Sequence, residues 1–130
     1  MVAAGKKRRG LGFTLLEVLL VLALSFVGLF GLMSVIVAAQ RAAMGARAMS
    51  EATALAQDKL EQLEHVPLAT LAASVETTLG PQGTVVTGGA YTRNTFVTVN
   101  GALTTVRVQV LWNDVFQRQH QVNLYTARAL

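Results

Sequence analysis

The sequence predicts an α+β protein in which one long N-terminal helix carries a small antiparallel sheet. Three observations lead there. Residues 18–39 carry no charge, residues 40–66 contain no Pro and repeat apolar side chains at helical spacing, and beyond Pro67 that period disappears. What replaces it is alternating Thr- and Val-rich segments separated by Gly, Asn and Asp, the pattern of short strands and turns.

The chain has 130 residues, 52% apolar and 14% charged, with a mean hydropathy of +0.46. At that length one domain is expected, and so much apolar content with so little charge points to a segment in lipid. The 11 Lys and Arg exceed the 7 Asp and Glu, giving a net charge of +4 and a pI near 10.1. All four excess charges are Lys6, Lys7, Arg8 and Arg9, within a leader, residues 1–12, that has no acid. There is no Cys, which excludes a disulfide framework, a thiolate metal site and a cysteine nucleophile.

Residues 13–39 form the second segment. As a helix the uncharged run 18–39 reaches roughly 33 Å at about 1.5 Å per residue, enough to cross a hydrocarbon core of about 30 Å. The four cations before it hold the N-terminus in the cytoplasm and place residues 40–130 outside, a single N-in, C-out crossing. An ordinary secretory signal peptide is the competing reading, with cleavage after Val37, Ala38 and Ala39 and before Gln40. The run is longer than the roughly 7–15 apolar residues of such a signal, and Glu17 stands at its start.

Residues 40–66 continue the same helix. Met44, Ala48, Met49, Ala52, Leu55, Ala56, Leu60, Leu63 and Val66 share one face, while Arg47, Glu51, Asp58, Glu61, Glu64 and His65 occupy the other. Arg41 and Lys59 intrude on the apolar side, where long stems can snorkel. Met44 and Met49 are expected to pack. Pro67 ends the helix by removing a donor and disfavouring helical geometry at Val66, so one helix is expected over residues 13–66.

The remaining segment, residues 67–130, is read as the sheet. A strand over 91–99 and its partner over 104–112 flank Asn100-Gly101, a hairpin turn whose residues both tolerate positive φ. Val106, Val108, Val110 and Trp112 point one way and Thr105, Arg107 and Gln109 the other. Asn113-Asp114 supplies a second turn into a strand over 117–126, with Val122 and Leu124 opposite Gln121, Asn123 and Tyr125. A short extra strand is expected near 84–87. So small a sheet cannot bury a core alone, so its apolar face is expected on the amphipathic half of the helix.

Gly12, Phe13, Thr14, Leu15, Leu16, Glu17 and Val18, following the basic leader and opening the apolar helix, resemble the processing and methylation signature of type IV pilins and type II secretion pseudopilins. A weaker likeness continues through Ala-Leu-Ala-Gln-Asp-Lys-Leu-Glu-Gln-Leu at 54–63 and around 106–112. In this style the chain resembles a minor pilin of the type IV pilus modification protein group, or a minor pseudopilin. The resemblance implies a pilin-like fold, and cleavage between Gly12 and Phe13 by a membrane-embedded prepilin peptidase, with methylation of the new amine on Phe13. It implies further that Phe13, Thr14 and Glu17 set filament register, Glu17 meeting the Phe13 ammonium of a neighbouring subunit. A carboxylate in hydrocarbon costs of order 3 kcal/mol on insertion scales and so calls for a partner. Implied partners are other major and minor pilins or pseudopilins, the bacterial inner membrane and the assembly platform. The implied product is a periplasmic or extracellular filament that the subunit primes, caps or modifies. The apolar run has Gly28, Gly31 and Ser34 but no Pro, and the Cys pair that closes a C-terminal loop in some pilins is missing; together with a globular part of only about 64 residues after Pro67, these departures favour a minor subunit over a major one.

Other residues give little chemistry. His65 and His120 lie far apart without ligand spacing, so neither a metal nor another cofactor is expected. Outside the apolar run the only Ser are Ser50 and Ser74 and the only Asp are Asp58 and Asp114, with no nucleophile elbow, so no enzyme is expected. Glu61 and His65 are spaced to meet as a solvated pair, and Gly88-Gly89 lacks a phosphate-loop context. From residue 40 onward seven bases face six acids, scattered, so nucleic acid is not an expected partner unless folding gathers Arg93, Arg107 and Arg118. A DNA-binding pilus tip, a membrane-tethered domain and a secreted binding domain are the alternatives from other classes.

Overall fold

The computed structural model describes residues 13–129; the chain divides into two compact units, one ending at Arg41 and the other beginning at Ala42. The leader cations Lys6, Lys7, Arg8 and Arg9, and Gly12, lie outside the described residues. Helix α1, Leu15–Glu64, runs unbroken for 50 residues and belongs to both units. It is α+β architecture, one long N-terminal helix packed on a four-stranded antiparallel sheet.

In the first unit the apolar side chains from Leu15 to Ile36 are exposed. One helix among the described residues, α1, is long and apolar enough to cross a membrane, with a mean hydropathy of 2.6 over its most apolar 18 residues. The two hydroxyls within its apolar run are satisfied internally. Ser25 donates to the Val21 carbonyl at 2.8 Å and Ser34 to the Gly31 carbonyl at 2.7 Å, which removes the cost of carrying unbonded polar groups into an apolar medium.

In the second unit α1 buries Ala52, Leu55 and Ala56, with Leu60 and Leu63 packed alongside. Met44 and Met49, expected to pack, are exposed instead. The reason is the extent of the sheet. Its second strand begins at Tyr91, beside Trp112 and level with Glu51, which receives the Tyr91 hydroxyl at 2.8 Å, so Met44 and Met49 both lie ahead of the start of that strand. The helix stops two residues short of the expected Val66. Its last turn tightens through Val66 N–H to the Leu63 carbonyl at 3.2 Å, and a short 3-10 turn, Leu68–Thr70, follows Pro67.

The sheet holds β1 (Ser74–Leu79), β2 (Tyr91–Asn100), β3 (Leu103–Asn113) and β4 (Gln119–Ala129) in sequence order, each antiparallel to the next. Alternation sets the faces of β3: Val106, Val108 and Val110 are fully buried against α1, and burial of each such side chain stabilises by about 1.5–3 kcal/mol. Val122 and Leu124 of β4 pack on the same core.

Two expectations need correction. The extra strand is β1 and not 84–87, where Val85 makes a single bridge to Leu79. β1 bulges between Glu76 and Leu79, with Thr78 at φ 56, and Gly89 lies so close that a Cβ there would strike the Thr78 carbonyl. The β2–β3 turn is displaced by one residue. Asn100 pairs with Leu103, leaving Gly101-Ala102 as the loop, and positive φ falls on Gly101 alone, at 59°. A single left-handed residue in first position, where Gly is favoured, is the pattern of a II′ hairpin.

Candidate functional site

The motif residues within the described chain form the N-terminus of α1. Thr14 is its cap. The Thr14 carbonyl accepts the N–H of Glu17 at 3.0 Å and of Val18 at 3.2 Å, and the Thr14 hydroxyl oxygen also accepts the Glu17 N–H at 3.2 Å. Thr14-Leu15-Leu16-Glu17 thus has the spacing of a capping box, of which the threonine half is made. That local signal was available in the sequence alone. The Glu17 carboxylate is exposed and has no hydrogen bond or ion pair among the described residues. Standing in the first helical turn, it is favoured by the positive end of the helix by about 0.3–1 kcal/mol. Phe13 precedes the cap, non-helical and exposed.

The second unit holds a polar network between α1 and the sheet. Arg93 of β2 faces the helix and is 3% exposed. Its Nε lies 2.6 Å from Glu76 Oε2, and its Nη1 donates to the Leu55 carbonyl at 3.0 Å with Asp58 at 3.8 Å. Lys59, expected to snorkel, binds Glu76 Oε1 at 3.0 Å. Burial pushes the Glu76 carboxyl up, but the hydrogen bonds and charges of Arg93 and Lys59 outweigh it and hold the group below its ordinary value. The Arg47 guanidinium, first, and the Tyr91 hydroxyl hold Glu51 down as well. Burial and the hydrogen bond to Glu51 push the Tyr91 phenol up to about 12. At the far end Arg128 of β4 donates to the carbonyls of Leu63 at 3.3 Å and Val66 at 2.9 Å, supplying a cation to a helix end that has none in its own last turn.

The β3–β4 loop, residues 114–118, is organised by Asp114. One carboxylate oxygen accepts the N–H of Phe116 at 2.8 Å and of Arg118 at 2.9 Å, and the other meets Arg118 Nε at 3.0 Å and His120 Nε2 at 3.3 Å. The Arg118 backbone N–H leads the interactions that lower the Asp114 carboxyl to about 2.

The three sheet-region arginines are not gathered into one stripe. Arg93 is inside, Arg107 stacks on Phe96 at 4.2 Å on the opposite face, and Arg118 is tied to Asp114. Arg107, Phe96, Thr98, Thr105 and Tyr125 line an open groove of about 400 Å³ with no acid–base pair in it. His120 stacks on Trp112 at 5.6 Å, and Glu61 and His65 are exposed with no hydrogen bond between them. No group of three His, Asp or Glu among the described residues could hold a metal ion. Comparison of the chain with family models, curated proteins and solved structures found no match.

Proposed function

We propose that the chain is the precursor of a minor pilin, a structural subunit of a type IV pilus with a pilin-like fold. The supporting observation is the run Gly12-Phe13-Thr14-Leu15-Leu16-Glu17-Val18, placed after four cations and at the start of a 50-residue helix whose first part is apolar on every side. In this reading a prepilin peptidase cuts before Phe13 and methylates the amine it creates. Phe13, on the described side of the cut bond, lies ahead of the Thr14 cap at which helical hydrogen bonding begins. The cut creates an electrostatic problem, since the new ammonium stands beside the positive end of the helix. Glu17, one turn along, is the carboxylate that answers it. When apolar helices bundle, Glu17 of one subunit neutralises the Phe13 amine of the next, and the pair acts on register more than on stability because both groups must be desolvated.

Mass spectrometry of the mature N-terminus tests this directly. N-methylated Phe13 is expected; a chain starting at Gln40 would identify a secreted domain, and an intact leader a membrane tether. Glu17→Ala is expected to enter filaments poorly, and incorporation equal to the parent would overturn the register role. A minor pseudopilin of a type II secretion system shares every feature used so far. Deleting the gene and scoring piliation against exoprotein secretion separates the two machines.

A further inference from the structure

We propose that the face of the sheet turned away from α1 binds an oligosaccharide carrying a single carboxylate, with Arg107 receiving the acid and Tyr125 the ring of a sugar. The inference stands on the second unit alone and does not rest on the filament reading.

The charge of this face sets it apart. Lys, Glu, Asp and Arg are the ordinary residues of a surface open to water. Here strand alternation turns Arg93, Arg128 and Glu76, the one acid in the four strands, towards α1, where each is bonded. Among the outward side chains of β2, β3 and β4, Arg107 is the only formal charge, and most of the others are Thr, Asn and Gln.

Arg107 is half-buried and meets no carboxylate among the described residues. Register places it in one cross-strand row between Phe96 of β2 and Tyr125 of β4. Its guanidinium lies 4.2 Å from the centre of the Phe96 ring, so the cation is held in place by a ring that does not neutralise it. A partly desolvated cation attracts an anion at contact more strongly than one free in water, and the planar guanidinium fork matches a carboxylate.

The rows on either side supply neutral hydrogen-bonding groups. On one side Thr98 pairs with Thr105, and with Phe96, Arg107 and Tyr125 they line the open groove of about 400 Å³. On the other side stand Asn94, Gln109 and Asn123. Asn94 Nδ2 donates to Gln109 Oε1 at 3.3 Å, and Gln109 Nε2 donates to Gln121 Oε1 at 2.8 Å. That chain fixes the amides in place, while Asn123 Oδ1 in the same row is buried with no partner, an acceptor the face does not satisfy by itself. Successive rows are two residues apart, about 7 Å, so one extended ligand reaches the hydroxyls, the cation and the amides together.

The chemistry of these groups selects the ligand. Amides and hydroxyls both donate and accept, as the hydroxyls of a sugar do. An aromatic ring with a polar tip offers a flat apolar surface to the C–H face of a pyranose, and Tyr125, 63% exposed, presents one. The number of cations separates a sugar acid from other anions. A nucleic acid has a phosphate at every nucleotide and is held by several bases at once, and an acidic peptide likewise calls for cations in series. One Arg in a neutral field answers one carboxylate among hydroxyls.

The full chain, isotope-labelled for NMR in polyoxyethylene-detergent micelles that contain no sugar, is titrated with sialyllactose and with glucuronosyl-xylobiose, each bearing one carboxylate. Lactose and xylotriose serve as neutral counterparts, all up to about 20 mM, well above a millimolar Kd. Saturable shifts of the Arg107 Nε–H and of the Gln109 and Gln121 side-chain amides are expected with at least one acid, and weaker ones with its neutral counterpart. Arg107→Gln is expected to weaken acid binding roughly 10–100-fold through loss of a charge-assisted bond, and Arg107→Lys to weaken it less. Arg107 points away from the core, so both variants keep the fold, and unshifted amides along α1 check this. No saturable shift with either acid would overturn the proposal, as would equal binding of acid and neutral sugar or an Arg107→Gln chain that binds like the parent. Tighter binding of oligothymidylate or polyglutamate, titrated in the same way and lost in Arg107→Gln, would overturn it in favour of a polyanion.

Discussion

Glu76 and Arg93 form the contact whose two halves should respond most unequally to mutation. Arg93 is the buried partner, and removal of a buried ion naturally suggests the larger loss. The reverse is expected. Glu76→Ala leaves a guanidinium with 4% side-chain exposure facing only the Leu55 carbonyl and, at 3.8 Å, Asp58. Breaking a buried pair from one side costs about 3–5 kcal/mol when the orphan has no recourse. The remaining carbonyl bond and the nearby Asp58 reduce that to about 2–3 kcal/mol. Arg93→Met instead leaves carboxylates that are 30% and 56% exposed, which water can solvate, while the thioether fills the guanidinium's volume; about 1 kcal/mol is expected. Urea unfolding of the full chain in micelles measures both, read by the fluorescence of the single Trp112, which packs near Tyr91 and His120. Arg93→Met proving as costly as Glu76→Ala, or costlier, would refute the reasoning. The acid limb adds a second check. The folded Glu76 pKa lies below its ordinary 4.5, so its contribution is complete above that value and is lost as pH falls through the lower, folded value. In Glu76→Ala stability should fall less steeply in that window than in the parent.

Thr95 Oγ1 is buried and has no partner, so the isosteric Thr95→Val should raise the urea midpoint, by about 1 kcal/mol in stability. Tyr91, with its pKa raised to about 12 from 10.0, contributes stability that is complete below pH 10 and is lost as pH rises towards 12; alkaline unfolding of Tyr91→Phe should lack that loss. Arg128→Ala should cost about 1–2 kcal/mol and speed hydrogen exchange in the last turn of α1, because the Val66 carbonyl loses its donor and the Leu63 carbonyl keeps only the Val66 N–H. Asp114→Ala should release protection of the Phe116 and Arg118 amides in hydrogen exchange and leave the β2–β3 amides unchanged.

The fold was legible wherever a local pattern decided it. Val106, Val108 and Val110 alternate so strictly that their face could be assigned from the sequence, and Pro67 located the helix end to within a turn. β1 was not legible, because Ser-Val-Glu-Thr-Thr-Leu puts a carboxylate where an alternating strand shows an apolar residue. Glu76 is tolerated there only because Arg93 and Lys59, each 17 residues away, meet it. Met44 and Met49 fail in the opposite way, since they continue the apolar stripe ahead of the start of β2. At the candidate site, Thr14 and Glu17 carry a cap signal readable from spacing alone, whereas the bracing of the Asp114 loop depends on Arg118 and His120 closing back on it.

The disposition of charge sharpens the reading of Glu17. Beyond the leader the chain has seven bases and seven acids. In the second unit the bases are occupied close at hand: Arg47, Lys59, Arg93 and Arg118 by carboxylates, Arg128 by helix carbonyls and Arg107 by the Phe96 ring. Net charge therefore gives this unit no long-range pull on an anionic or cationic partner. Three carboxylates, Glu17, Glu61 and Glu64, have no partner among the described residues. Glu61 and Glu64 lie on the exposed face of the amphipathic half, where water solvates them at little cost. Glu17 opens the apolar run, where the cost of an unpaired carboxylate rises steeply with depth in lipid or in a bundle of apolar helices. In the proposed reading the partner comes from outside the described residues, as the amine freed at Phe13 of a neighbouring copy, and it spares Glu17 that cost.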